Sequence, residues 1–184
     1  MTEKKAGGMS QQLLARLVMI VAAVGLVVAF FLPWASAGEG FRDAAASFPD
    51  VMFYEPAGVT VADATDLSLL EYAGVYAAMG ENTAWLIYAV IMYAILIVSA
   101  ITVLLAALGK PIGATLVGAL AFAGSRLLVW DFGDRGALPS STHGWGIAPT
   151  IYVAAFMVLV VASVWMLLLK RRARQQDSQK EVSA

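Results

Sequence analysis

Four long apolar runs organise the chain, at residues 13–33, 84–108, 112–130 and 147–169. Each is close to the ~20 residues that an α-helix needs to cross a ~30 Å hydrocarbon core. Lipid offers the backbone no hydrogen-bonding partner, so a polypeptide that crosses it forms a helix or a closed barrel. Because the runs are too long for strands, the sequence predicts an all-α membrane protein, a bundle of four transmembrane helices.

The segment between the first two runs, residues 34–83, is long enough to have structure of its own. Structureless loops longer than ~12–15 residues are uncommon in compact domains. Residues 51–54 and 59–61 have the composition of short strands, and Pro56 and Gly58 between them favour a turn. The pattern predicts a short β-hairpin.

A helix is predicted after the hairpin, because Ser68 and Glu71 have the spacing of a capping box ahead of an apolar stripe that ends near Met79. Residues 131–146 form a second, turn-rich loop, while residues 109–111 form only a tight turn. Both long loops are tethered to one side of the bundle, so we expect them to pack on each other as a small structured extracytoplasmic cap. Such a cap either only covers the bundle or also offers a surface to a partner.

The positive charges predict an orientation. Basic residues concentrate on one side of the runs: Lys4, Lys5, Arg16, Lys110, Lys170, Arg171, Arg172, Arg174 and Lys180. By the positive-inside rule, residues 1–12, the 109–111 turn and the basic tail at 170–184 are expected in the cytoplasm, with both termini on that side of the plasma (inner) membrane. The last residues, 175–184, are polar and are expected to be disordered.

A competing interpretation concerns the first run. Lys4 and Lys5, the apolar residues after them and the sequence Ala35-Ser36-Ala37 resemble a signal peptide with its cleavage site. The run is longer than the ~7–15 apolar residues of most signal peptides, which favours a first helix that is retained. Cleavage would leave three spans in the same orientation.

Composition agrees with lipid as the main solvent of the chain. Hydrophobic residues make up 60% and charged residues 14%, whereas soluble domains have about 25% charged residues. Cysteine is absent and His143 is the only histidine, which excludes disulfides and zinc sites built from cysteine or several histidines. No phosphate-binding or hydrolase motif is present. We therefore predict no catalytic residue, cofactor or metal, no enzyme activity and no nucleic-acid partner.

Arg126 is a charge inside the third run, about one helical turn from its predicted outer end. A charge at mid-membrane costs about 2.5–3.5 kcal/mol, and less near the edge. Its side chain could reach the outer headgroups. It could also pair with a cap carboxylate such as Asp66, Glu71 or Asp131, or bind a transported substrate or ion.

Small side chains in the third run predict close helix packing, at Ala114-xxx-Gly118 and Ala119-xxx-Ala123. The alternative for such pairs is dimerisation of the whole protein. Aromatic rings with a polar edge favour the headgroup level of a membrane. Four tryptophans near the ends of runs are therefore predicted interface anchors: Trp34, Trp85, Trp130 and Trp145.

The order of these features resembles the claudin layout, with four spans, a long first outer loop with strand character, a tiny inner turn and an inner basic tail. The cysteine-containing signature of the claudin first loop is absent, so no claudin residue is transferred to this chain. The Leu32-Pro33-Trp34 exit from the first run and the Gly144-Trp145-Gly146 entry to the fourth also resemble small bacterial four-span proteins of uncharacterised function.

Three functions remain open at this point. The first is a non-catalytic accessory or scaffold subunit that contacts membrane lipids and other membrane protein subunits, or a second copy of itself, through its outer cap and one helix face. The second is a small transporter or channel component with Arg126 near the pathway. The third, an enzyme that modifies lipids at the outer interface, would need carboxylates to converge on His143.

Overall fold

The computed structural model describes residues 3–80, 83–138 and 141–182. In chain order its elements are α1 (Glu3–Val28), β1 (Pro33–Ala37), α2 (Glu39–Ser47), β2 (Met52–Tyr54), β3 (Val59–Thr60), β4 (Asp66–Ser68), α3 (Leu69–Ala78), α4 (Thr83–Ala107), α5 (Pro111–Asp134), β5 (His143–Trp145) and α6 (Ala148–Val182).

Four of these helices, α1, α4, α5 and α6, are long and apolar enough to span a membrane, which confirms the predicted bundle. The 25 residues of α4 alone rise about 37 Å at ~1.5 Å per residue. We call the end at which α1 and α5 finish the cap end, and the opposite one the tail end. Helix α6 differs from the prediction, because it continues through most of the polar tail to Val182.

The turn between α4 and α5 is closed by backbone hydrogen bonds. Lys110 N donates to Leu105 O over 3.0 Å, and Gly109 N donates to Ala106 O over 2.9 Å. Gly109 has φ +64°, a left-handed conformation that glycine adopts without a steric penalty. Pro111 then starts α5, where its missing N–H costs little. The tight turn makes α4 and α5 antiparallel neighbours.

One face of α5 packs against the other three long helices. Its buried residues recur every three or four positions: Ala114, Gly118, Ala121, Ser125, Leu128 and Phe132. A Cβ on Gly118 would lie 2.7 Å from Leu159 Cδ2 and 3.2 Å from Thr102 Cγ2. The absence of a side chain therefore lets α4 and α6 approach α5 at one level of the bundle.

The cap contains both predicted pieces. Strands β2 and β3 form the antiparallel hairpin. Ser68 Oγ accepts a hydrogen bond from Glu71 N over 3.3 Å, while the Glu71 carboxylate accepts one from Ser68 N over 2.6 Å. The capping box is thus complete, and it opens α3 at Leu69 as the sequence indicates.

A three-stranded antiparallel sheet, in the order β4-β1-β5, was not predicted. Its central strand β1 follows the first long helix directly, and β5 comes from the second loop, so the sheet joins both loops as one cap. Ala35-Ser36-Ala37, the possible cleavage sequence, lies in this central strand and pairs with residues of both neighbours. Helix α2 is a second addition to the predicted cap.

The cap meets the bundle around Trp34, whose side chain is fully buried. Its ring centroid lies 5.7 Å from that of Tyr152 on α6 and 6.4 Å from that of Phe132 on α5. Trp34 Nε1 donates to Ala29 O over 3.3 Å. The hydrophobic core is therefore continuous from the four helices into the base of the cap.

Candidate functional site

Helix α2 is attached to the sheet by Arg42. The guanidinium donates to both carboxylate oxygens of Asp66 on β4, over 2.9 and 2.7 Å. It also donates to Ala37 O over 3.0 Å and to Ser36 Oγ over 2.9 Å. The hydrogen bonds from Arg42 lower the pKa of Asp66, although partial burial opposes the shift. Arg42 therefore connects α2, β1 and β4 through one side chain.

His143 closes the cap from the other loop. Its Nε2 lies 2.8 Å from Ala64 O, so Nε2 carries the proton and donates to this carbonyl. In the neutral ring, Nδ1 then accepts from the Thr142 hydroxyl, 2.9 Å away. The imidazole is buried, and its ring centroid lies 4.9 Å from that of Phe41 on α2. His143 thus has a structural role that accounts for both of its nitrogen atoms.

Arg135 connects the cap to the cap end of α5. It forms an ion pair with Asp131 one turn earlier, in which Nε donates to Oδ1 over 2.9 Å. The guanidinium carbon lies 4.0 Å from the ring centroid of Tyr88 on α4, and 5.7 and 6.0 Å from those of Tyr76 and Trp85. The hydrogen bonds to Asp131 raise the pKa of Arg135.

One of the three roles considered for Arg126, an ion pair with Asp66, Glu71 or Asp131, is not found among the described residues. The structure pairs Asp66 with Arg42 and Asp131 with Arg135. Glu71 completes the capping box at Ser68. All three carboxylates find nearer donors, because the sheet and the end of α5 place those donors beside them.

Arg126 instead reaches the start of α6. One of its terminal nitrogens donates to Pro149 O over 3.3 Å, and its guanidinium carbon lies 5.9 Å from the ring centroid of Phe122. Its Nε is buried without a hydrogen-bond partner among the described residues. The two other roles considered for this residue, contact with headgroups and binding of a substrate or ion, stay predictions.

Three buried hydroxyl groups of α4 and α5 are bonded within their own helices, whereas Thr115 Oγ1 of α5 is buried without a partner among the described residues. Ser99 Oγ donates to Ile95 O over 2.8 Å, and Thr102 Oγ1 donates to Val98 O over 2.9 Å. Ser125 Oγ likewise bonds one turn back, over 2.7 Å. These groups therefore satisfy their hydrogen-bonding requirement locally.

The four predicted tryptophan anchors have different environments. The prediction for Trp34 is wrong, since this residue is buried where the cap meets the bundle. Trp85 is half-buried beside Arg135, with Tyr76 and Tyr88 as its ring neighbours. Trp130 is 69% exposed and Trp145 is 42% exposed. Both lie at the cap end, and their contact with headgroups stays a prediction.

The two pairs of small residues in α5 also differ. Ala114 and Gly118 are buried on the packed face. Ala119 is half-buried and Ala123 is exposed, because they are rotated away from that face. Only the first pair lies in the packed face of the bundle, and the second leaves part of the helix surface open.

An exposed group of large apolar side chains is the least expected feature of the cap. From the end of α2 into the first strand of the hairpin, Phe48 is 64% exposed, Val51 53%, Met52 54% and Phe53 55%. We call these four residues the apolar ridge. The Phe53 ring packs edge-on against Phe41 of α2, with centroids 6.3 Å apart, which supports the ridge from behind.

The sequence around the hairpin also indicates the ridge, through an unusual density of large apolar residues. Residues 48–53 place four large apolar side chains in six positions of a segment that also contains Pro49 and Asp50. Strand propensity alone explains such residues when the other face of the hairpin is covered. Here each of the four side chains is more than half exposed, so propensity accounts for the hairpin and not for the exposure.

Within the described ranges, no three His, Asp or Glu side chains are close enough together to hold a metal ion. A small cavity of about 190 Å³ lies behind the hairpin, lined mainly by apolar side chains and by His143. The chain matches no protein-family model, no curated protein and no solved structure.

Proposed function

We propose that this chain is a non-catalytic subunit of a larger membrane complex and that it binds another membrane protein through the apolar ridge of its cap. The exposure of Phe48, Val51, Met52 and Phe53 carries the proposal. Large apolar side chains that stay exposed are unfavourable in water, and groups of them on a soluble surface mark interaction sites. Two phenylalanines and a methionine stand in this short segment, and both residue types are enriched at protein interfaces.

A firmly held cap supports the proposal, because an ordered surface loses little conformational entropy on binding. Arg42 holds α2 against the sheet, and α2 leads directly to Phe48. His143 joins the second loop to the turn that follows β3. The ridge is therefore presented by a structure with contacts to both loops.

The orientation belongs to the same proposal. Every carboxylate whose side chain the structure describes lies in the cap or in the last turn of α5, whereas Arg16, Lys110 and Lys170 lie at the tail end. By the positive-inside rule, we propose that the tail end faces the cytoplasm and that the cap lies outside the plasma (inner) membrane. In this orientation the ridge is available to an extracytoplasmic partner domain.

Site-specific photo-crosslinking tests the proposal in the native membrane. A photoreactive amino acid at Met52 is expected to give an adduct with one partner protein. The same group at Asp43, an exposed polar position on α2, serves as the matched control and is expected to give none. Phe48→Ser should weaken the Met52 adduct, whereas Asp43→Ser should leave it unchanged.

Other outcomes would contradict the proposal in distinct ways. Crosslinks from Met52 to lipid alone would make the ridge a membrane-contact surface. An adduct of twice the chain mass would make it a self-association surface. A monomer that co-purifies with no protein in mild detergent, together with no adduct at Met52, would reject the accessory role.

A further inference from the structure

Two cavities open at the tail end of the bundle. The larger, of about 450 Å³, lies between the start of α5 and the polar part of α6. The smaller, of about 330 Å³, lies against α1. The two cavities are adjacent, because Gly109 and Lys170 line both of them. Both volumes fall within the ~300–1,000 Å³ typical of small-molecule sites.

Five cationic side chains line these cavities: Arg16, Lys110, Lys170, Arg171 and Arg174. Two of them are fixed by backbone carbonyls at the end of α4. Lys170 Nζ donates to Gly109 O over 2.7 Å, and a terminal nitrogen of Arg16 donates to Ala107 O. Cations are favourable beside the carbonyl end of a helix, so these contacts hold both charges in place.

The other three cations, Lys110, Arg171 and Arg174, make no side-chain hydrogen bond or ion pair with any group that the structure describes. The carboxylates whose side chains are described all lie at the cap end, on the far side of the bundle. The amino-terminal end of α5 adds its partial positive charge to the same cavity, which Pro111 also lines. Convergent like charges repel, so an anion between them would lower the free energy of the arrangement.

Apolar side chains continue from the cavities toward the spans. Ile112 and Leu167 line the larger cavity, and Leu13 and Leu108 line the smaller one. Ile112, Leu13 and Leu108 are also more than half exposed on the helix surface, where an acyl chain would cover them. A ligand that fits therefore has an anionic head and an apolar tail. Basic pockets of this kind between transmembrane helices bind lipid headgroups.

We propose that the two tail-end cavities bind the phosphate headgroup of an anionic phospholipid, whose acyl chains extend over Ile112 and the neighbouring apolar surface. Lys110, Arg171 and Arg174 supply the charge in the larger cavity, and Lys170 is shared with the smaller one. A free phosphate ion has the same anionic chemistry, but it would leave the apolar walls uncovered. This site is separate from the apolar ridge and does not depend on the function proposed above.

Lipid titration of the full chain in neutral detergent tests the inference, with bound lipids counted by native mass spectrometry. The probes are dioleoyl phosphatidylglycerol, zwitterionic dioleoyl phosphatidylcholine and inorganic phosphate. Phosphatidylglycerol should bind at least tenfold more tightly than phosphatidylcholine. Arg171→Gln and Arg174→Gln should each weaken its binding about fivefold, as expected for removal of one cation at a membrane surface.

Arg172→Gln is the matched control, because Arg172 is exposed on the same helix and lines neither cavity. It removes the same charge and should weaken binding less than twofold. Arg174→Lys keeps the charge and should retain most of the affinity. All these side chains are exposed, and circular dichroism should show unchanged helix content.

Three results would overturn the inference. Equal affinity for the two lipids would show that the cavities do not select charge. An Arg172→Gln effect as large as that of Arg174→Gln would assign binding to the general surface charge of the tail. Displacement of phosphatidylglycerol by millimolar inorganic phosphate would assign the cavities to a free anion.

Discussion

The guanidinium carbon of Arg135 lies 4.0 Å from the ring centroid of Tyr88. The two residues belong to different helices, since Tyr88 is in the first turns of α4 and Arg135 caps the end of α5. Tyr88 Oη also lies 3.4 Å from Asp131 Oδ1, the carboxylate that pairs with Arg135. Because Tyr76 of α3 borders the same guanidinium, this one side chain joins the cap to two spans.

Arg135→Lys tests whether the geometry of this contact matters beyond its charge. Lysine keeps the cation but loses the planar group that pairs with Asp131 through two nitrogen atoms and stacks on Tyr88. A cation–π contact contributes about 0.5–2 kcal/mol, depending on desolvation. We expect the free energy of unfolding, followed by tryptophan fluorescence, to fall by about 1 kcal/mol.

Tyr88→Phe is the control for Arg135→Lys, because it keeps the aromatic ring and removes only the hydroxyl. It should cost less than the lysine variant in thermal unfolding followed by tryptophan fluorescence. If both variants lost the same stability, the contact between the Tyr88 hydroxyl and Asp131, and not the ring, would support Arg135.

Acid should loosen the cap through Asp66. The hydrogen bonds from Arg42 lower the pKa of Asp66 in the folded protein from its usual value of 3.8. A carboxyl whose folded pKa is lowered adds stability above the unfolded pKa, and that stability is lost as pH falls toward the folded value. Thermal unfolding midpoints should therefore drop below about pH 4.

Asp66→Asn should reduce this acid-dependent drop and lower stability near neutral pH. Asp50→Asn, at an exposed carboxylate of the same cap with no ion pair among the described residues, should leave the profile unchanged. Asp63 accepts hydrogen bonds from Thr60 that also lower its pKa, so part of the acid effect should survive in Asp66→Asn. If the variant and the parent chain had the same profile, Asp66 would have no share in it.

The sequence predicts the parts of this fold that local chemistry determines. The apolar runs require helices because lipid cannot hydrogen-bond to the backbone. Ser68 and Glu71 mark the start of α3 because they lie three positions apart, the spacing at which each can bond the other's backbone N–H. The β1–β5 pairing joins Ala35 to Trp145. Nothing local to either strand specifies a partner so distant in the chain.

The ion pairs of the cap, like the strand pairing, cannot be predicted from local sequence. The cap offers Arg126 several carboxylates in sequence, and only the folded sheet decides that Asp66 lies beside Arg42 instead. The buried position of Trp34 also depends on the sheet, because β1 turns the ring inward against Tyr152. A tryptophan at the end of an apolar run does not reveal whether it faces lipid or the core.

Arg126→Met should leave the stability of the protein within about 0.5 kcal/mol of the parent chain, as is usual for a side chain without strong partners. Its hydrogen bond to Pro149 O is 3.3 Å long, and its Nε has no partner among the described residues. Methionine keeps most of the apolar contact with Phe122. Thermal unfolding in detergent measures this, and a loss above about 2 kcal/mol would show that Arg126 has a strong structural partner.

Arg126→Met also distinguishes a transporter or channel component from an accessory subunit. In liposomes, a flux of small ions that Arg126→Met abolishes without loss of folding would assign Arg126 to a pathway. Arg172→Met, which removes an exposed cation at the tail end, is the matched control for flux. We expect neither variant to change the ion leak of the liposomes, because the function proposed above involves no transport.

Gly146→Ala should disrupt the junction between the sheet and α6. A Cβ at Gly146 would overlap Pro33 O and lie 2.5 Å from Pro33 C, which are backbone atoms that cannot rotate away. The strand would have to move, and the hydrogen bond from Gly146 N to Trp34 O, 2.8 Å long, would be strained. Because Trp34 anchors the cap in the core, the displacement should extend to its ring contacts. We expect a loss of about 2–4 kcal/mol, as in other overpacked or strained sites.

Gly144→Ala is the matched control for Gly146→Ala, two residues earlier in the chain. A Cβ at Gly144 would meet no atom within 4 Å, so alanine there adds a methyl group without a clash. Gly146→Ala should unfold at a clearly lower temperature than Gly144→Ala, because only the methyl group at position 146 contacts the backbone of Pro33. If the two variants had similar thermal unfolding midpoints, β5 would not be held against Pro33.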